Sequence, residues 1–396
     1  MESLRAVMIV TAVGVATAGC GASGSPPAGA VVRDSAGIRI IELAATPSGG
    51  AAIPVVSDPA FPAGGIEFGA IADISVSDGV VAVFDAMETA VVTLDATGRV
   101  IARFGRRGRG PGEFHPAGLA SIVAIGREAL VPDVASQRVT RFAADGSVVD
   151  VRPLPLSDGH AVDWTPHPYG GYVYRLRKAP GDLLIGAGAV GVDTLYRFPP
   201  SPDAPNTVLP ATPLWTILPD GSLVVGWTDR FELTLVDPES GRPVWIVRRE
   251  GAARELTDAD ARHIRGLLEQ SLLRGTRGEI STEMRQRLLS ETNLPARAPV
   301  ISAIRTGPDG TIWVERARAV EEFGLEALRV GEAAGIGSNE WEVYGRDGSF
   351  LGTAKLPSNF EVHEFVGPLV YGVEVDEMGV LRWCVAYAWR WIEGLC

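Results

Sequence analysis

From residue 31 onward the chain alternates short apolar runs rich in Val, Ile, Leu and Thr with Gly-containing turns, a pattern that predicts strands. Two series of turns recur. The first passes through Ser77-Asp78-Gly79, Gly126, Gly170-Gly171, Pro219-Asp220-Gly221, Pro308-Asp309-Gly310 and Gly367, at intervals of 47, 45, 50, 89 and 57 residues. The second, at Gly98, Gly146, Gly241 and Gly348, repeats after 48 residues and then after 95, close to two periods. A repeat of about 40–50 residues with four strands per unit is the arithmetic of a β-propeller. The expected fold is therefore all-β, a six-bladed β-propeller over residues 31–396, with blades near 70–105, 118–156, 160–198, 212–250, 298–357 and 360–391. The strand-like segment Gly37 to Leu43 is expected to join the last blade and close the ring, leaving no open edge.

The long interval holds a segment of a different period. Residues 255–294 carry Thr257 ahead of Asp258 and Asp260, then Ile264, Leu267, Leu268 and Leu272 at helical spacing. After Gly275 and Gly278, Ser281-Thr282-Glu283 opens a second helix with Met284, Leu288 and Leu289 along one side. A helical-hairpin insertion between blades four and five is expected, serving either as a lid or partner surface or as a structural cap.

The N-terminus reads as an address. Residues 1–20 have a short polar start with Arg5, an apolar run from Ala6 to Ala16, and small residues ending in Ala18-Gly19-Cys20, the layout of a signal peptide. Residues 21–30 are a Gly/Ser/Pro/Ala tether. The small pair before Cys20 resembles the bacterial lipobox, whose cysteine becomes the lipidated first residue, although Thr17 stands where an aliphatic is usual. The expectation is an exported lipoprotein, periplasmic or at the cell surface, touching the membrane only through its anchor. Cys384 and Cys396 then remain, either paired or as two free thiols.

Arg33-Asp34-Ser35-Ala36-Gly37-Ile38-Arg39-Ile40-Ile41-Glu42, soon after that cysteine, resembles the opening of bacterial six-bladed β-propeller lipoproteins related to NHL-repeat proteins. Phe104-Gly105-Arg106-Arg107-Gly108-Arg109-Gly110-Pro111-Gly112-Glu113-Phe114 is similar to the glycine-rich link between blades in that family. The resemblance implies fold and export and no reaction. The tail LRWCVAYAWRWIEGLC departs from it, with Trp383, Trp389 and Trp391 where a plain closing strand is expected.

Two groups of residues are candidate sites. Arg106, Arg107 and Arg109 alternate with glycines, so outward backbone N–H groups and guanidiniums can hold a phosphate or carboxylate; the alternative is a structural turn with solvated arginines. The first strand of each blade lines the channel and supplies His160, Asp163, Arg305, Glu361 and His363, with His167 and Glu364 nearby. Carboxylates and imidazoles on one axis can bind a divalent cation such as Ca²⁺, or act as acid and base; the alternative is mouth polars satisfied by backbone and water. No cofactor is evident, and no nucleophile-elbow, CxxC, HExxH or EF-hand motif occurs.

A net charge of −12 argues against nucleic-acid binding, and Lys178 and Lys355 are the only lysines, a bias of genome composition rather than function. The expected role is a monomeric binding or scaffolding module for a protein, peptide or glycan at the envelope. The alternative is a metal-dependent lactonase- or lyase-type propeller enzyme.

Overall fold

The computed structural model describes residues 30–44, 50–57, 68–115, 121–154, 156, 158–188, 191–249, 251–275, 281–328, 334–375 and 381–389. Its strands fall into six sheets, each begun by a hairpin-connected antiparallel run in chain order. The first comprises Ile71–Ser77, Val80–Asp85, Ala90–Asp95 and Val100–Phe104. The second runs from Val123–Ile125 to Val148–Pro153, the third from His160–Pro166 to Val192–Arg197, and the fourth from Pro213–Ile217 to Pro243–Arg249. The fifth runs from Ile301–Thr306 to Phe350–Lys355, and the sixth holds Phe360–Val366, Leu369–Val375 and Leu381–Trp389.

The middle strands are apolar at nearly every position, because both faces of each sheet are covered. All six residues of Val80–Asp85 are buried. Phe84 and Phe142 join the first sheet to the second, Val139 and Tyr174 the second to the third, and Leu184 and Trp215 the third to the fourth. Val247 and Ile304 join the fourth to the fifth, Trp341 and Phe365 the fifth to the sixth, and Val373 and Val81 the sixth back to the first. A buried ion pair sits inside the fourth-to-fifth layer. The Arg249 guanidinium donates two bonds to Glu342, at 3.0 and 2.7 Å, and lies 4.2 Å over the Phe231 ring, while the Tyr344 hydroxyl donates to the same carboxylate at 2.6 Å. Each charge is thereby paired within the layer, the condition for keeping it in a low-dielectric environment.

The inner strands of neighbouring sheets are joined by side chains instead of a backbone ladder. Asp73, Ser75 and Ser77 alternate on one face of the first inner strand and accept from the N–H groups of Ile122, Ala124 and Gly126, at 2.9, 3.0 and 2.9 Å. All three bonds span 49 residues, one repeat. Between the fourth and fifth sheets, Thr306 Oγ1 lies 2.8 Å from Thr216 Oγ1 and donates to the Ile217 carbonyl at 2.8 Å.

The N-terminal segment departs from expectation. Ile38–Leu43 pairs in parallel with Pro243–Arg249, at the outer edge of the fourth sheet and not the last, and Val31–Ser35 folds back on it. Side chains select that edge. Ile41, 1% exposed, enters the fourth-to-fifth core, and Glu42 Oε1 accepts from Arg248 Nε and Nη2 at 3.1 and 2.6 Å. The chain then adds Ala51–Ile53 to the fifth sheet and Val55–Ser57 to the sixth, antiparallel to Leu381–Trp389. It is this last short strand that completes the final sheet.

Two helices, α1 (Asp258–Gly275) and α2 (Thr282–Glu291), lie in the chain between the fourth and fifth sheets. Thr257 and Asp260 cap α1 reciprocally, Asp260 N donating to Thr257 Oγ1 and Thr257 N to Asp260 Oδ2; Ser281 accepts from Met284 N at α2. The Arg254 guanidinium, then burial working against it, then the Thr257 bonds set the Asp260 carboxyl, which is lowered to about 2. Ile264 and Leu267 of α1 are buried against Val320, Phe323 and Ala327. Cys20 and the rest of residues 1–29, together with Trp391 and Cys396, lie outside the described residues, as do the side chains of Trp383, Cys384 and Trp389.

The placement of the N-terminal hairpin predicts unequal mutational costs. Ile41→Ala is expected to cost about 2–5 kcal/mol in urea unfolding, the range for a buried Ile truncation. Val32→Ala, on the exposed strand beside it, is expected to cost under about 0.5 kcal/mol; equal losses would remove the hairpin from the core.

Candidate functional site

Around the inner strand of the sixth sheet, ionisable groups of the sixth, fifth and first sheets come together. His363 and Glu364 sit on Phe360–Val366 at a bulge where the register slips between Val362 and Glu364. The slip breaks strict alternation, so these consecutive side chains both find partners on the first sheet. His363 Nδ1 lies 3.2 Å from Asp73 Oδ1, and Glu364 Oε2 accepts from Val76 N at 2.7 Å. Burial pushes the Glu364 carboxyl up to about 7, against the opposing bonds from Val76 and Ser75. Burial also acts on His363, pulling it down, but the Asp73 bond and charge, with Glu361 behind them, outweigh burial and the Arg305 charge and leave the imidazole above its ordinary value. Glu315, 7% exposed, is raised by burial while accepting from Ser302 Oγ at 2.7 Å and Asn339 N at 2.9 Å, and it feels both Arg305 and Glu361.

Of the five sequence-derived channel candidates, Arg305, Glu361 and His363 thus fall within one electrostatic group. Arg305 is half-buried with Nη1 on the Ile304 carbonyl at 3.3 Å, and Glu361 is exposed. His160 and Asp163 lie on the third sheet. His160 is exposed at the start of its strand. Asp163, at a bulge with φ 52°, is paired at 2.6 Å with Arg175, a guanidinium 2% exposed that also holds Asp182 at 2.8 Å. His167 accepts from Tyr169 N at 3.2 Å in a turn, and burial lowers it. Among the described residues, no three His, Cys, Asp or Glu side chains come together as a group able to hold a metal ion.

The arginine loop carries its own anion. Glu113 accepts from Arg106 Nε at 2.9 Å and from the backbone N–H of Arg109 and Gly110 at 3.0 and 2.9 Å, so its carboxylate fills the nest that the glycines form. These bonds, that of Gly110 first and Arg106 next, hold its pKa below the ordinary range. Gly105, with φ +89°, has no room for a side chain: a Cβ there would meet the Phe114 ring at 2.5 Å. Arg107 pairs through its backbone with Phe114, and Arg138 crosses from the second sheet to the carbonyls of Arg109, Gly110 and Glu113.

Several residues here escape a reading of the sequence. Asp73, Ser75 and Ser77 form a period-two polar pattern that could have been noticed, but the N–H groups that donate to them lie one repeat away. Asp85 and Asp133, both fully buried, tie the segment entering each sheet to the loop after its second strand, accepting from Gly69, Ala70 and Met87 and from His115 and Ser136. Their 48-residue spacing is the signal that the turn glycines overshadowed.

Residues 65–184 match the family model DUF5128, described as a 6-bladed beta-propeller. The chain is a β-propeller. A member of the duf4221 family from Bacteroides vulgatus shares the fold at TM-score 0.53 and 10% identity, over 86% of this chain and 98% of that one. A Bacteroides fragilis protein designated as exported aligns at TM-score 0.48 and 11% identity, over 89% and 99% of the two chains. A virginiamycin B lyase from Staphylococcus aureus aligns at TM-score 0.41 and 14% identity, over 81% and 95%. No curated protein matches the chain in sequence.

Two measurements follow from the site. Glu364 binds its proton more tightly folded than unfolded, so its stabilising contribution is complete below pH 4.5 and is lost as the pH rises toward about 7. Relative to wild type, Glu364→Gln is expected to gain about 2–3 kcal/mol of unfolding free energy between pH 5 and pH 8; parallel pH profiles would show that the carboxyl is unshifted. For the loop, Glu113→Ala is expected to melt lower than wild type and to regain stability with added phosphate, to which wild type does not respond. A phosphate response in wild type would mean that the nest is open.

Proposed function

We propose that this propeller has six blades with α1 and α2 as a hairpin inserted between the fourth and fifth, and that it is exported, lipidated at Cys20 and monomeric. At the envelope it binds a peptide, glycan or partner protein, and not nucleic acid, through the channel mouth around Arg305, Glu361 and His363, with His160 and Asp163 on the third sheet. The observation supporting binding over catalysis is the commitment of the channel carboxylates to the frame. Asp73 and Glu364 accept the inter-sheet bonds, and Glu315 closes a bond network within its own sheet. A base occupied in holding two strands together cannot move without loosening them. The exposed groups that remain can recognise a ligand by hydrogen bonds and charge.

A metal-assisted lactonase- or lyase-type activity is the second reading. Glu364 and His363 favour it, because raised, buried acid and imidazole groups in one channel are the kind of pair that proton transfer uses.

Melting of residues 21–396 after EDTA treatment, and again with Ca²⁺, Mg²⁺, Mn²⁺ or Zn²⁺, separates the two. The binding module is expected to show no cation-specific change. A cation present at 100 times its Kd would add about 2.7 kcal/mol and would move the assignment to the enzyme. Cys20→Ser is expected to shift the full-length protein from the membrane to the soluble fraction.

A further inference from the structure

We propose that one rim of the ring rests on the bilayer, with Met87, Leu273 and Met284 in the interfacial layer. The proposal rests on the reading of Cys20 as a lipid anchor.

Chain direction defines the rim. In each hairpin-connected run the strands alternate up and down, so the links between successive runs and the loops between second and third strands share one rim, while the remaining turns share the other. Leu43 is paired with Arg249, and Val31 with Glu42, so Ala30 and the end of the fourth sheet emerge at the same rim. Ala30, Ala252 and Val300 pack on the same buried cluster, at the root of the helical segment. Nine residues separate Cys20 from Ala30. Fully extended, that length reaches at most about 36 Å. An anchor on so short a tether draws its own rim toward the lipid.

That rim also carries the apolar side chains a membrane would cover. Among the described residues outside strands, the exposed large apolar ones are Met87, Tyr169, Leu273 and Met284, at 65, 72, 49 and 46%. Met87 lies in a loop between second and third strands, and Leu273 and Met284 lie on α1 and α2; all three are on the tether rim. Tyr169 alone is on the other, and its hydroxyl donates to the Asp220 carbonyl at 2.6 Å. α2 buries none of its residues. Among the described residues no helix is long and apolar enough to cross a membrane, so the contact is a surface one.

Hydrogen exchange on the lipidated full-length protein in phosphatidylcholine–phosphatidylglycerol vesicles, against Cys20→Ser protein in solution, tests this. Peptides covering Met87, Leu273 and Met284 are expected to exchange several-fold more slowly in vesicles, and the turn at Asp220 to be unchanged. The triple variant Met87→Ser, Leu273→Ser, Met284→Ser alters only exposed side chains and is expected to melt like wild type, to stay in the membrane fraction, and to lose the protection. Equal protection on both rims, or full protection in the triple variant, overturns the orientation while leaving the anchor. The same protection in Cys20→Ser protein without vesicles would identify a second copy as the occupant and overturn the membrane contact. Wild-type protein recovered in the soluble fraction overturns the anchor, and the orientation with it.

Discussion

Each sheet in this chain is apolar on both faces, so none can exist without two neighbours. A strand such as Val80–Asp85, buried along its whole length, has no solvent side to offer. Antiparallel sheets usually keep one face wet; here the only economical arrangement is a closed succession in which every face meets another. The last sheet is completed by Val55–Ser57, near the opposite end of the sequence, so the final interface forms only when both ends of the chain are in place. On the way there the same N-terminal stretch also covers the outer edges of the fourth and fifth sheets.

The polar interior follows from that closure. The inner strands of neighbouring sheets are not paired by a backbone ladder. Side chains fill the gap: Asp73, Ser75 and Ser77 toward the second sheet, Glu364 toward the first, Thr306 toward the fourth. An unmade bond at these buried N–H groups would cost the full desolvation penalty. The raised Glu364 carboxyl and the His363–Asp73 pair are thus products of joining sheets, and they also supply the channel with its ionisable chemistry. The arginine loop, by contrast, supplies Glu113 as its own ligand.

The fold itself does not choose among functions. Propellers present loops at two rims and a channel between them, and the same frame serves binding and catalysis alike. What distinguishes this chain is asymmetry between the rims. Among the described residues, Ala30, the helices and most of the exposed apolar loop residues share one, because in each of the first five hairpin-connected runs the even number of strands returns the chain to the rim it started from.

The repeat, the strand content and the two helix starts were legible in the residues themselves, because each is a local rule. Gly79, Gly126 and Gly221 adopt positive φ, which glycine does at little cost, and Thr257 and Ser281 cap the helices that follow them. The partner of Ile38–Leu43 was not legible. Its pattern fits any open edge, and only the pocket for Ile41 and the reach of Arg248 to Glu42 select the fourth sheet, 206 residues away. The same holds for the candidate site. His363 and Glu361 stand out as polar residues on an inner strand, but Asp73 is 290 residues from His363, and no spacing rule links them. Sequence by itself determined the repeating unit and its turns, since those depend on neighbours along the chain. Tertiary structure decided which edges pair, which carboxylates are consumed in holding sheets together, and at which rim the N-terminal hairpin begins, since those depend on free energies of contact between residues that only the closed ring brings together.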